Sequence, residues 1–237
     1  MMKNRTSLYN RETKKRRKNI HYIDKEAKDI ILGFRKNIVR IREQYKIVDY
    51  LMSKQEYEAA NDILRFQIVY VMSALDFFMH EILVYCFIKI FNNELPKTEK
   101  YYEYRVPLRL IEQALYDQEN FEFYLTNALI DINSNLTFMA PNRLKELLNI
   151  ITPEDDFALA EENLKKKGLI KPGVRLIRLL DEIYDRRNKI AHQTDINHGS
   201  DEPNIITKQD VEYYVDVIAH FVEELFTIII KQTKKGF

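Results

Sequence analysis

The stretch Val174–His192 reads VRLIRLLDEIYDRRNKIAH, and its spacing decides the fold class. Val174, Ile177, Leu180, Ile183 and Tyr184 recur three and four residues apart, the period of a helix with one apolar face. That stripe runs directly into Asp185-Arg186-Arg187-Asn188-Lys189-Ile190-Ala191-His192, so polar and charged groups stand at the end of a packed helix. Pro172 and Gly173 form the turn before it, and a polar loop, Gln193 to Asn204, follows.

Beyond that loop, Thr207 is placed to cap a last helix. Val211, Tyr214, Val215, Ile218, Phe221, Val222, Leu225, Phe226 and Ile229 lie on its inner side, and it ends near Lys234-Lys235-Gly236. Toward the other end of the chain, Ala27, Ile30, Ile31, Phe34, Ile38, Ile41, Tyr45 and Val48 predict one long amphipathic helix starting at Asp24. A second helix runs from near Tyr57 to about Phe91; from Ile63 its apolar residues surround the axis, so it belongs at the centre of the bundle.

The middle of the chain is less regular. Glu94 to Tyr104, with Pro96 and three tyrosines, reads as a surface connection, followed by helical stretches around Pro107 to Tyr116 and Phe121 to Ile132. Pro141 and Asn142 open a short helix through Leu144, Leu147 and Leu148. Thr152, Pro153 and Asp155 then read as a cap, a first-turn proline and a capping-box acid for a helix ending at Gly168. The expected organisation is an all-α helical bundle over residues 20–237, with residues 99–171 as a helical insertion and residues 1–19 as a basic N-terminal tail.

Composition agrees. A chain of 237 residues with 46% hydrophobic content can bury a full core, and five glycines with six prolines supply few turns for a many-stranded β fold. Cys86 is the single cysteine, so no internal disulfide forms, and the expected compartment is cytoplasmic. The first residues are polar and basic, unlike a secretory signal. In the apolar run Phe66 to Phe91, Asp76, His80, Glu81 and Lys89 interrupt the stretch and argue against a membrane span, at about 2.5–3.5 kcal/mol for each central charge.

Net charge is +1, but residues 1–19 carry +7 and the remainder −6. Lys14, Lys15, Arg16, Arg17 and Lys18 form the densest run. Such a run attracts phosphate backbones through counterion release without reading sequence, and the plainer alternative is a solvated terminus.

The pattern Arg187-Asn188-x-x-x-His192 at the end of a helix resembles the HEPN superfamily. The later capped helix from Thr207 supports the resemblance, and Ser73-Ala74-Leu75-Asp76-Phe77-Phe78-Met79-His80 is similar to the branch called RiboL-PSP-HEPN. The resemblance implies a HEPN-type helical bundle and a metal-independent endoribonuclease, with Arg187, Asn188 and His192 as catalytic residues, no cofactor, and a site shared across a homodimer. It also implies a toxin or phage-defence effector, with an antitoxin or sensor protein as a further partner.

These residue types suit RNA cleavage on chemical grounds alone. The 2′-hydroxyl of RNA attacks the adjacent phosphate once a base takes its proton, an acid protonates the leaving oxygen, and a cation stabilises the phosphoryl oxygens. Histidine serves as base or acid near neutrality, and the planar guanidinium of arginine matches phosphate oxygens. Asn188 and His192 are four apart and share a helix face, whereas Arg187 and His192 are five apart, about 140° around the axis. Either the helix unwinds near Ile190, or a second copy completes the site.

Other readings compete at each position. Arg187 and His192 could simply neutralise a helix C-terminus. Asp76, His80 and Arg186 are candidates for a supporting shell around the motif, with a satisfied core pair as the alternative for Asp76 and His80. His192, Asp195 and His198 match no standard metal spacing, so no metal is expected. His21 reads as a surface residue and His220 as a helix-packing one. Tyr101, Tyr102 and Tyr104 could stack on RNA bases but read more simply as surface. The competing functional reading is a catalytically inert HEPN-fold module that binds nucleic acid or protein.

Overall fold

The computed structural model describes residues 26–196, 199 and 202–233. It is built of α-helices: α1 (Ala27–Glu43), α2 (Tyr45–Ser53), α3 (Tyr57–Phe91), α4 (Glu99–Tyr102), α5 (Leu108–Tyr116), α6 (Phe121–Asn133), α7 (Pro141–Ile151), α8 (Asp156–Lys166), α9 (Leu176–Gln193) and α10 (Lys208–Thr233). Among the described residues the only β pairing is an isolated bridge between Ile196 and Pro203. The basic tail, with Lys14, Lys15, Arg16, Arg17 and Lys18, lies outside the described residues.

Helix α3 is the axis of the bundle. It packs against α1, α2, α6, α7, α9 and α10, which explains why its apolar residues encircle it. Among the described residues it is the one helix long and apolar enough, by length and composition, to cross a membrane; its charges are too few to exclude that by themselves. Burial supplies the better account, because 67% of its most apolar window is enclosed by the other helices. A contiguous apolar core runs from Ile30 to Ile229 and includes Leu110, Leu129, Leu147 and Ala160 of the middle stretch.

Two local expectations are corrected. The first long helix is interrupted at Gln44, between α1 and α2. Buried Gln67 donates its side-chain amide to the Ile41 carbonyl at 3.3 Å, and a side chain bonded into the helical ladder is a recognised cause of such a bend. The cap of α8 is Asp155, whose carboxylate accepts from the Ala158 N–H at 3.0 Å. Thr152 instead donates its hydroxyl to the Leu148 carbonyl, closing the preceding helix. At α10 the expected cap is present: Thr207 Oγ1 accepts from the Asp210 N–H at 3.1 Å and donates to the Asp210 carboxylate at 2.6 Å.

Candidate functional site

Helix α9 positions the motif. Leu176, Leu179, Leu180 and Ile183 are buried, and the helix stays unbroken through Ile190 to Gln193. Unwinding near Ile190 is therefore not how Arg187 and His192 converge, and their five-residue separation leaves them about 140° apart. Arg187 is half-buried and donates from Nη1 to Asn188 Oδ1 at 3.1 Å. Its Nε is buried with no hydrogen-bond partner among the described residues. Asn188 is half-buried and His192 exposed.

The outer face of α9 carries both signs, with Arg178 and Lys189 exposed beside Asp181, Glu182 and Asp185. Asp181 and Asp185 are exposed, and with Asn188 and His192 they form one stripe at spacings of four, three and four residues. A phosphate approaching His192 along this stripe meets two carboxylates, and the helix itself supplies Arg178, Arg187 and Lys189 as cations.

Helix α9 ends in two consecutive left-handed residues, Thr194 (φ 50°) and Asp195 (φ 63°). The Asp195 carboxylate is fully buried and accepts from Arg65 Nε at 3.0 Å and Arg186 Nη2 at 2.7 Å. Arg186 also donates to the carbonyls of Asn204 and Ile205 at 3.3 and 2.9 Å. Arg186 thus supports the end of the motif helix and is not directed at a substrate phosphate. Sequence reasoning missed Arg65 altogether. Its signal was a charge inside an otherwise apolar helix, at Leu64-Arg65-Phe66.

Asp76 and His80 do not surround the motif. The Asp76 carboxylate accepts from the Phe138 N–H at 2.6 Å and the Thr137 hydroxyl at 3.1 Å, so it fastens the connection between α6 and α7 to the central helix. His80 sits 4.0 Å from Asp76 and packs edge-on against the Phe138 ring. Asp76 is eleven residues from Arg65, about 16 Å along the α3 axis. The core-pair reading fits both residues, with the difference that the partner is backbone from the middle stretch.

Helix α3, which packs against α9, carries an exposed stripe at spacings of four, three and four: Phe66 (70% exposed), Tyr70, Ser73 and Phe77 (53% exposed). One bank is α1, reached through the hydrogen bond from Tyr70 to Asn37 and bearing exposed Lys36 and Arg40. The opposite bank is the α9 side, reached through Arg65 and Asp195. Clefts of 640 Å³, between Pro153 and Lys231, and 610 Å³, between Phe91 and Phe123, contain no motif residue. Among the described residues no group of three or more His, Cys, Asp or Glu side chains is placed to hold a metal ion.

Of Tyr101, Tyr102 and Tyr104, the first and last pack their rings on Phe87, while Tyr102 is exposed. His220 is half-buried, with Nδ1 2.7 Å from the Asp216 carbonyl, as a packing residue should be. Burial pushes the Cys86 thiol well above its ordinary range, so it is not a nucleophile.

No curated protein and no solved structure matches the chain. A family model does, that of RiboL-PSP-HEPN, over residues 12–231. With that match spanning the bundle from before α1 to the last turns of α10, the chain belongs to the RiboL-PSP-HEPN family.

Proposed function

We propose that this protein is a metal-independent endoribonuclease acting as a homodimer, and that its role is that of a toxin or phage-defence effector. The observation that carries the reading is the Arg187–Asn188 pair on an unbroken helix whose last turn bears exposed His192, in a chain of a HEPN family. A base takes the 2′-hydroxyl proton, the O2′–P bond forms, the P–O5′ bond breaks, and an acid returns a proton to O5′. The products are a 2′,3′-cyclic phosphate and a 5′-hydroxyl. Arg187 stabilises the phosphoryl oxygens, Asn188 holds the guanidinium, and His192 from each subunit divides the base and acid roles.

The same geometry supports a dimer. One helix holds Arg187 and His192 on different faces, which favours a reading in which a second copy closes the site. The stripe of Phe66, Tyr70 and Phe77 is the surface offered for that contact. Its basic α1 bank and the acidic Asp181 and Asp185 of α9 are complementary between two copies. A restraining antitoxin or a sensor protein is a further expected partner.

The test is digestion of mixed RNA by purified protein in EDTA, compared with Arg187→Ala and His192→Ala. Cleavage by the wild type that both substitutions abolish supports the enzyme. Three identical traces leave the inert binding module.

A further inference from the structure

We propose that Asp195 is a positioning residue: clamped between Arg65 and Arg186, it fixes the last turn of α9 and with it the imidazole of His192. Its effect on cleavage rests on the nuclease reading above; its effect on the helix end does not.

Four observations converge. First, Asp195 is fully buried, yet its carboxylate meets two guanidiniums from separate elements, Arg65 on α3 and Arg186 on α9. A carboxylate is retained in such a place only when charge and hydrogen bonds are both satisfied, and here they are. Second, the Asp195 N–H donates to the Lys189 carbonyl at 3.0 Å. That bond closes a loop over residues 189–195, and His192 lies inside it.

Third, the returning chain is tied to the same point. The Asn204 N–H donates to the Asp195 carbonyl at 2.8 Å, and the Asn204 side-chain amide reaches the same carbonyl at 2.6 Å. Arg65 Nη2 donates to the Asn204 carbonyl at 3.1 Å. Fourth, Thr194 and Asp195 both hold positive φ without being glycine. Side-chain-bearing residues keep that conformation when surrounding bonds over-determine it, and the clasp supplies those bonds.

Asp195 therefore acts on the site through His192 without touching a substrate. The pair also separates two adjacent arginines by role: Arg186 is committed to Asp195, and Arg187 is left for the phosphate. Removing the carboxylate's charge should loosen the end of α9 while the buried positions Leu179, Leu180 and Ile183 keep the rest of the helix in place.

The experiment uses the full chain and two variants, Asp195→Asn and Arg65→Lys, the second keeping the charge but not the fork should the first fold poorly. Amide hydrogen exchange at Ile190, Ala191 and His192 should accelerate about tenfold or more in either variant, with Leu179 to Ile183 changed less than about threefold. The His192 ring resonances in a carbon–proton correlation spectrum should move. With RNA, kcat should fall about 10–100-fold while KM stays within about threefold, as expected when an interaction needed only in the transition state is disturbed. Unchanged exchange and ring signals in both variants overturn the clasp. Faster exchange with unchanged kcat overturns its role in cleavage. If the wild type cleaves no RNA, the nuclease reading falls by itself, and the exchange and ring signals still decide whether Asp195 positions His192.

Discussion

The Arg187 guanidinium donates from Nη1 to Oδ1 of its neighbour Asn188 at 3.1 Å, while its buried Nε has no partner among the described residues. A positive charge near a helix C-terminus stabilises by about 0.3–1 kcal/mol. A buried, unpaired donor costs about 1–3 kcal/mol. The second effect is the larger, so Arg187→Met should leave the melting temperature unchanged or raise it, while cleavage is lost. Thermal melting beside an RNA digest checks this. A clear fall in melting temperature would assign Arg187 to stability.

The dimer surface makes a separate prediction. Phe66 and Phe77 are 70% and 53% exposed, which makes Phe66→Glu and Phe77→Glu the probes of this surface; the first should change monomer stability by no more than about 0.5 kcal/mol. If the α3 stripe joins two copies, the same substitutions place carboxylates in an apolar contact, and sedimentation should show monomers that no longer cleave. A dimer that persists with both substitutions present rules out this stripe as the contact.

Much of the fold was legible because it rests on local periodicity. The buried axis of α3, the one-faced stripe of α9 and the Thr207 cap of α10 are each read from neighbours three or four residues apart. What escaped is held by bonds between distant segments. Gln67 captures the Ile41 carbonyl across 26 residues, Asp76 the Phe138 amide across 62, and Arg65 the Asp195 carboxylate across 130. No local pattern encodes such partners. A charge inside an apolar helix announces that a partner exists without saying where. For the candidate site the motif's place on a helix was legible, but the continuity of that helix past Ile190 was not.

Asp76 illustrates the difference experimentally. Its carboxylate serves the Phe138 N–H and the Thr137 hydroxyl, so Asp76→Ala should destabilise the protein by about 1–3 kcal/mol through an orphaned backbone donor. In the folded fraction, kcat should match the wild type. A large kcat loss without a stability loss would return Asp76 to the motif.

The acidic stripe is open to the opposite kind of test. Asp181 and Asp185 are exposed on the Asn188–His192 face, and like charges there slow the approach of phosphate. Replacing both with Asn should lower KM for RNA severalfold at low salt, with the gain fading as salt shortens the screening length to about 3 Å near 1 M. An unchanged KM at low salt would mean that RNA does not pass along this face.

Asp156 carries the clearest pH dependence. Burial, the dominant cause, pushes its carboxyl up to about 6 from the ordinary 3.8, against the hydrogen bond from Gln232 that pulls it down. A folded-state value above the unfolded one means the fold prefers the neutral acid. The associated stability is present below about pH 4, declines as pH rises through about 6, and is absent above that. At about 1.4 kcal/mol per pH unit the loss approaches 3 kcal/mol. Burial is the reason for the preference, and the neighbouring amide works against it: Gln232 Nε2 donates to Asp156 Oδ1 at 3.1 Å, while Gln232 Oε1 is buried with no partner among the described residues. An ionised Asp156 can only accept hydrogen bonds, whereas a neutral group at 156 also carries a donor. Asp156→Asn keeps the acceptor and adds a permanent donor. Its melting temperature should therefore exceed that of the wild type at pH 7, by about 2–4 °C per kcal/mol recovered, and the two curves should converge near pH 4. A difference that stays constant from pH 4 to pH 7 would show that this carboxyl does not titrate in that window.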